Sequence, residues 1–144
     1  MCHFANGLTG GPRGLPAIPH YPLKRLCLEQ ASVADCLALL NPRRGPPALT
    51  SAGNMVLADG AGRVADVELR PDEAAEVGPN AGLRTLSARN GCRLHTNHYL
   101  HPRFAHHPTL VPDSAARLER LEGLVGGQWG ALTVDAMKVS HLGR

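Results

Sequence analysis

Hydrophobic positions repeat every second residue in some stretches of the chain and every third or fourth in others, and the changes of period mark the elements. CHFANGLT, residues 2–9, reads as a short strand running into a turn. GGPRGLPAIP, from Gly10 to Pro19, carries too much Gly and Pro for any regular element and is a loop. Leu23, Leu26, Cys27 and Ala31 then recur at helical spacing, which predicts a helix over 20–30 with Pro22 tolerated in its first turn. Ser32 with Asp35 three residues on resembles a capping arrangement. It opens a second helix whose apolar stripe is Val33, Cys36, Leu37 and Leu40, and Pro42 ends that helix. After a loop at 43–48, two apolar-rich runs, LTSAGNMVLAD and RVADVELR, flank Asp59-Gly60-Ala61-Gly62. This is the chain's best hairpin signal.

Further strands are predicted at 74–78 and at 92–97, CRLHTN. Pro112-Asp113-Ser114 starts a helix by cap chemistry, with Leu118, Leu121, Leu124 and Val125 on its buried face. Thr133 caps a last helix with Val134, Met137 and Leu142 as core positions. The order is a strand, two helices, several antiparallel strands and two helices. This is an α+β layout, helices packed on an antiparallel sheet, in one domain of 144 residues.

Composition narrows the function classes. Fifteen basic against twelve acidic residues give a net charge of +3, and the basic residues are scattered, so no nucleic-acid partner is expected. No apolar run approaches the roughly 18 residues of a membrane span, and MCHFANGLTGG has neither the basic region nor the apolar stretch of a secretory signal. A cytoplasmic protein with no membrane contact is expected. The four cysteines, at 2, 27, 36 and 92, include no CxxC pair, and reduced thiols fit that compartment.

Three constellations can carry chemistry. Cys92, His95, His98, His101, His106 and His107 crowd into 16 residues. Zinc ligation, a polar site lined by His95 and His98, and solvated histidines are the alternatives. On a strand His95 and His98 would face opposite sides, and no zinc pattern is matched, so no metal or other cofactor is expected. Asn54, early in an apolar strand beside Gly53, is either a bulge residue or a carboxamide donor aimed at a developing negative charge. Cys2 would become an N-terminal nucleophile if Met1 were removed, or else packs as a strand cysteine. The charged helix around Arg117, Glu119, Arg120 and Glu122 reads as a solvated face with local ion pairs.

Taken in order, CHFANGL, the Gly-Leu-Pro loop with two helices behind it, SAGNMVLADGAGRVADVEL, LHTNHYLHP, PDSAARLERLEGL and LTVDAMKVSH make the chain resemble the penicillin acyltransferase family, the acyl-coenzyme A:6-aminopenicillanic acid acyltransferases and their relatives. The resemblance implies a four-layer αββα sandwich of the N-terminal-nucleophile type. It implies a cysteine freed by autoproteolysis, whose α-amine is the general base and whose thiolate forms an acyl-enzyme on small acyl amides, thioesters or peptide-like conjugates. It assigns Asn54 to the oxyanion, and His95, Thr96, Asn97, His98 and, more weakly, Asn6 to the lining of the site.

In the family the nucleophile lies before the strand that CHFANGL matches, and an arginine lies in a Ser-Ile-Cys-Arg segment past the last helix. Neither is matched here, and Cys2 falls on a strand position. Residues 1–144 are therefore expected to be the middle of a domain, incomplete at both ends and inactive alone. Unpaired sheet edges would make the chain poorly soluble or dependent on a partner, such as a missing N-terminal half that carries the nucleophile. A non-catalytic remnant is the rival reading.

Overall fold

The computed structural model describes residues 2–5, 8, 19–40, 52–70, 73–76 and 93–135. Four strands, β1 (Cys2–Ala5), β2 (Gly53–Ala58), β3 (Val64–Arg70) and β4 (Glu73–Glu76), form one antiparallel sheet in the order β1-β2-β3-β4. Helices α1 (His20–Leu28) and α2 (Val33–Leu40) lie between β1 and β2 in the chain, and α3 (Ser114–Gly127) follows the sheet.

Local chemistry accounts for the boundaries. Ser32 Oγ accepts the Asp35 N–H at 3.2 Å and donates to the Asp35 carboxylate at 2.6 Å, a cap that starts α2. Asp59 Oδ1 accepts the N–H groups of Ala61 and Arg63, each at 3.0 Å, and closes the β2–β3 turn. Gly62, at φ +81°, supplies the left-handed residue there. Asp59 Oδ2 accepts the Val33 N–H at 3.0 Å, so the hairpin turn also holds the start of α2. The Val33 bond leads the other turn contacts in holding the Asp59 carboxyl below its usual range.

Alternation sorts β2 and β3 into two faces. Met55 and Leu57 stand opposite Val67 and Ala65. With Leu69 they meet Leu23 and Cys27 of α1 and Val33, Cys36 and Leu40 of α2 in the main core. The other face carries Asn54 opposite Glu68 and Val56 opposite Asp66.

Several expectations change. The predicted strand at 92–97 is coil from 93 to 96 with a bend at 97–98. Its polar groups are taken by side chains of β3 and α3 rather than by a ladder. Asp113 precedes α3 but makes no side-chain cap; its carboxylate pairs with Arg117 instead. In α1, Leu26 is exposed while Leu23 and Cys27 are buried. Val134, expected in the core, is 63% exposed. The last predicted helix is visible as 134–135 only; Met137 and Leu142 lie outside the described residues, as do Asn6 and Cys92. Among the described residues no helix is long and apolar enough to cross a membrane.

Candidate functional site

The polar face of β2 and β3 has a dry centre: Asn54, Asp66 and Glu68 are all 0% exposed. Burying carboxylates without partners is costly, so their contacts explain the architecture. Glu68 is the centre. Its Oε1 accepts from His95 Nε2 at 3.0 Å and from the Leu100 N–H, and its Oε2 accepts the His101 N–H at 3.2 Å. One strand carboxylate thus clamps the segment 95–101 onto the sheet.

The other nitrogen of His95, Nδ1, faces the Thr96 carbonyl. Both ring nitrogens face acceptors, so both carry protons and the ring is an imidazolium paired with Glu68. Burial alone would push the His95 pKa down; the Glu68 hydrogen bond and the charges of Asp66 and Glu68 outweigh it and hold it above the usual value.

Thr96, Asn97 and His98 turn the other way, onto the start of α3. Thr96 Oγ1 donates to the Ser114 carbonyl at 2.9 Å, and Ser114 Oγ donates to Thr96 Oγ1 at 3.0 Å. Ser114 Oγ accepts the Asn97 N–H at 2.7 Å and lies 2.8 Å from His98 Nδ1. With the serine proton committed to Thr96, His98 Nδ1–H must donate to Ser114, and Nε2 keeps the lone pair. Burial, seconded by the charge on His95, pushes the His98 pKa down, in keeping with a neutral ring. Arg117 Nη2 donates to Asn97 Oδ1 at 2.8 Å and its Nε to Asp113 at 3.1 Å, while Thr109 Oγ1 donates to the Asn97 carbonyl at 3.1 Å. The Arg117 bond orients the Asn97 carboxamide, and the Thr109 bond holds its backbone. Arg117, read from sequence as part of a solvated face, is a strut of the site.

Asn54 donates from Nδ2 to Asp66 Oδ1 at 3.4 Å, across a diagonal of the hairpin. Asn54 Oδ1 and Asp66 Oδ2 are buried acceptors with no hydrogen-bond partner among the described residues. Burial pushes the Asp66 pKa up to about 6, with Glu68 adding to the rise; the charge on His95, the Asn54 bond and Arg93 act against it.

The structure therefore brings His95, Thr96, Asn97 and His98 into one knot between β3 and α3. Asn54 joins them through Asp66, whose carboxyl is coupled electrostatically to His95. Asp66, Glu68 and Ser114 were missed by sequence reasoning. In an antiparallel strand with helices on one face, alternate acids read as solvent-facing; the available signal was that they share the face of Asn54. Among the described residues no group of three His, Cys, Asp or Glu is gathered as a metal ion would require. Cys27 and Cys36 are buried on the opposite, apolar side and are not joined in a disulfide, and burial raises the Cys36 pKa. They line a cavity of about 100 Å³ with Ser32, Leu57 and Asp59, remote from the polar knot.

Neither the curated proteins nor the solved structures contain a match to this sequence. The family model of the acyl-coenzyme A:6-aminopenicillanic acid acyl-transferases matches residues 11–128, a span that takes in both helices, the hairpin, the HTNH segment and α3. With 118 of 144 residues covered, the chain belongs to the acyl-coenzyme A:6-aminopenicillanic acid acyl-transferase family.

Proposed function

We propose that this chain forms the oxyanion-binding wall of an amide-bond hydrolase or acyltransferase. The enzyme would work through a cysteine acyl-enzyme on small acyl amides, thioesters or peptide-like conjugates, within an N-terminal-nucleophile αββα sandwich. Family membership supports the reaction class. The observation that carries the site is the polar knot: two carboxamides, Asn54 held by buried Asp66 and Asn97 held by half-buried Arg117, accompany the imidazolium–carboxylate pair of His95 and Glu68. A fixed neutral donor needs no reorganisation when charge develops on a carbonyl oxygen.

Asn54 is the leading donor, since Asp66 uses one of its N–H groups and leaves the second for substrate. Asn97 is the second reading, favoured by its half-buried position and by the Arg117 anchor on its oxygen. Neither role calls for a cofactor. A cytoplasmic setting suits the reduced state of Cys27 and Cys36.

The test is turnover of a panel of acyl amides and acyl thioesters by the purified protein, alone and with a supplied cysteine-bearing N-terminal segment, with intact-mass detection of an acyl adduct on cysteine. Removal of one oxyanion donor should lower kcat by roughly 10²- to 10³-fold with little change in KM. N54A and N97A then identify the donor. No adduct in either arm, or full kcat in both variants, would defeat the proposal.

A further inference from the structure

The orphaned acceptors on the polar face of the sheet point to a group the catalytic reading does not use. Asn54 Oδ1 and Asp66 Oδ2 are both sealed from solvent, and they belong to two side chains already joined by the Asn54 Nδ2–Asp66 Oδ1 contact. Each of these two acceptors, buried in a dry interior, forfeits its hydrogen bond. A carboxyl group and a carboxamide set side by side have one arrangement that removes both deficits: the acid O–H donates to the amide oxygen while the amide N–H donates to the acid carbonyl. We propose that Asp66 and Asn54 form such a proton-dependent two-bond pair, a pH-sensitive latch that holds the Asn54 carboxamide by two bonds when Asp66 is protonated and by its N–H to carboxylate bond alone when Asp66 ionises.

The proton comes from solvent, forms an O–H bond on Oδ2 and leaves again as the pH rises. The groups facing Asp66 set the balance. Asn54 reaches it from β2, Glu68 lies two residues along the same face of β3, and His95 and Arg93 act from the segment beyond the sheet. The charge on His95 is the main influence toward the ionised form, and the charge on Glu68, its ion-pair partner, opposes it. Burial then decides in favour of the acid form.

The latch rests on the contacts of Asn54 and Asp66 alone and survives if the acyl-transfer reading fails. Its consequence for that reading is directional. Below the transition both polar atoms of the Asn54 carboxamide are tied; above it the Nδ2 contact to Asp66 stays and the tie on Oδ1 is lost.

The experiment is carbon-13 and nitrogen-15 NMR of the full chain, following the Asp66 carboxyl carbon and the Asn54 side-chain NH2 through a pH titration. With a transition at about pH 6, the acid form should exceed the ionised form about tenfold one unit below and fall to about a tenth one unit above. The Asn54 NH2 resonances should move in the same range. In D66N an amide N–H replaces the acid O–H at every pH, so the Asn54 resonances should stop titrating. If D66N does not fold, the wild-type titration decides by itself. An Asp66 carboxyl that is ionised throughout, or Asn54 resonances indifferent to the Asp66 transition, would overturn the proposal.

Discussion

Removing the Glu68 carboxylate should damage the chain more than any exposed substitution, because three donors depend on it. In E68A the N–H groups of Leu100 and His101 lose their acceptor and His95 loses its counter-ion. Breaking one side of a buried ion pair destabilises by about 3–5 kcal/mol, and each orphaned buried amide adds about 1–3 kcal/mol. These terms do not add in full. His95 can shed its proton, and the half-buried amides of Leu100 and His101 can meet water once the clamp opens. About 4 kcal/mol is the expected loss, against a total of roughly 5–15 kcal/mol for a domain. E68Q keeps one carbonyl acceptor and the side-chain shape, and should lose about 2 kcal/mol. Urea unfolding followed by Trp129 fluorescence measures the loss, and amide hydrogen exchange at Leu100 and His101 reports the clamp itself. The double variant E68A/H95A should be less destabilised than the sum of its parts by roughly 0.5–3 kcal/mol, since each single change leaves a buried partner behind. An E68A protein within about 0.5 kcal/mol of wild type, with Leu100 and His101 still protected, would refute the clamp.

The same contacts give further expectations. The Asp66 pKa is raised on folding, from 3.8 to about 6, so the folded state binds that proton more tightly than the unfolded chain does. Stability should therefore fall by up to about 3 kcal/mol as the pH rises through that window, and D66N should remove this part of the slope in urea titrations at several pH values. His95, also raised, contributes stability that is fully present below 6.5 and is lost as the pH climbs through its folded value; H95Q should flatten the profile above 6.5. His98, lowered, acts in the opposite sense, subtracting stability as the pH falls below 6.5, and H98Q should abolish that loss. S114A strips the acceptor from Asn97 N–H and His98 and the donor from Thr96, and thermal unfolding should show about 2 kcal/mol of destabilisation.

The sheet and its apolar cover were legible because they obey simple periods. Leu23, Cys27, Val33, Cys36 and Leu40 sit where a helical repeat puts them, and the Asp59–Gly62 turn declares the hairpin. The HTNH segment was legible as chemistry but not as structure. Read by propensity, CRLHTN is a strand; in the fold the N–H of its Asn97 goes to Ser114, 17 positions away, and the N–H of Leu100, just beyond it, goes to Glu68, 32 positions away. No local rule encodes a bond of that span. Asp113-Ser114 misled in a smaller way. The cap residue spends its carboxylate on Arg117, while Ser114 turns its hydroxyl back onto the HTNH segment.

Alternation in VADVELR specifies two faces but not what lies over each of them. Ala65, Val67 and Leu69 need an apolar cover, and α1 and α2 provide it. Asp66 and Glu68 would be unremarkable on a wet face. Their complete burial means that the middle of the β2–β3 hairpin is covered on its polar side as well as on its apolar one. A buried carboxylate is tolerated only where donors are fixed around it, and fixing them is what Glu68 does to residues 95–101. The acids therefore act as construction: they force a histidine and two backbone amides to one place on the sheet, and through Thr96 and Asn97 they set the position of α3. A site assembled this way is rigid because its polar groups have no alternative partners. Replacing Glu68 and His95 together by apolar residues of similar volume should keep the sheet intact, with the strand amides still protected from exchange, while releasing segment 95–101. Loss of protection in β2 and β3 as well would show that the charges hold the sheet together rather than the loop above it.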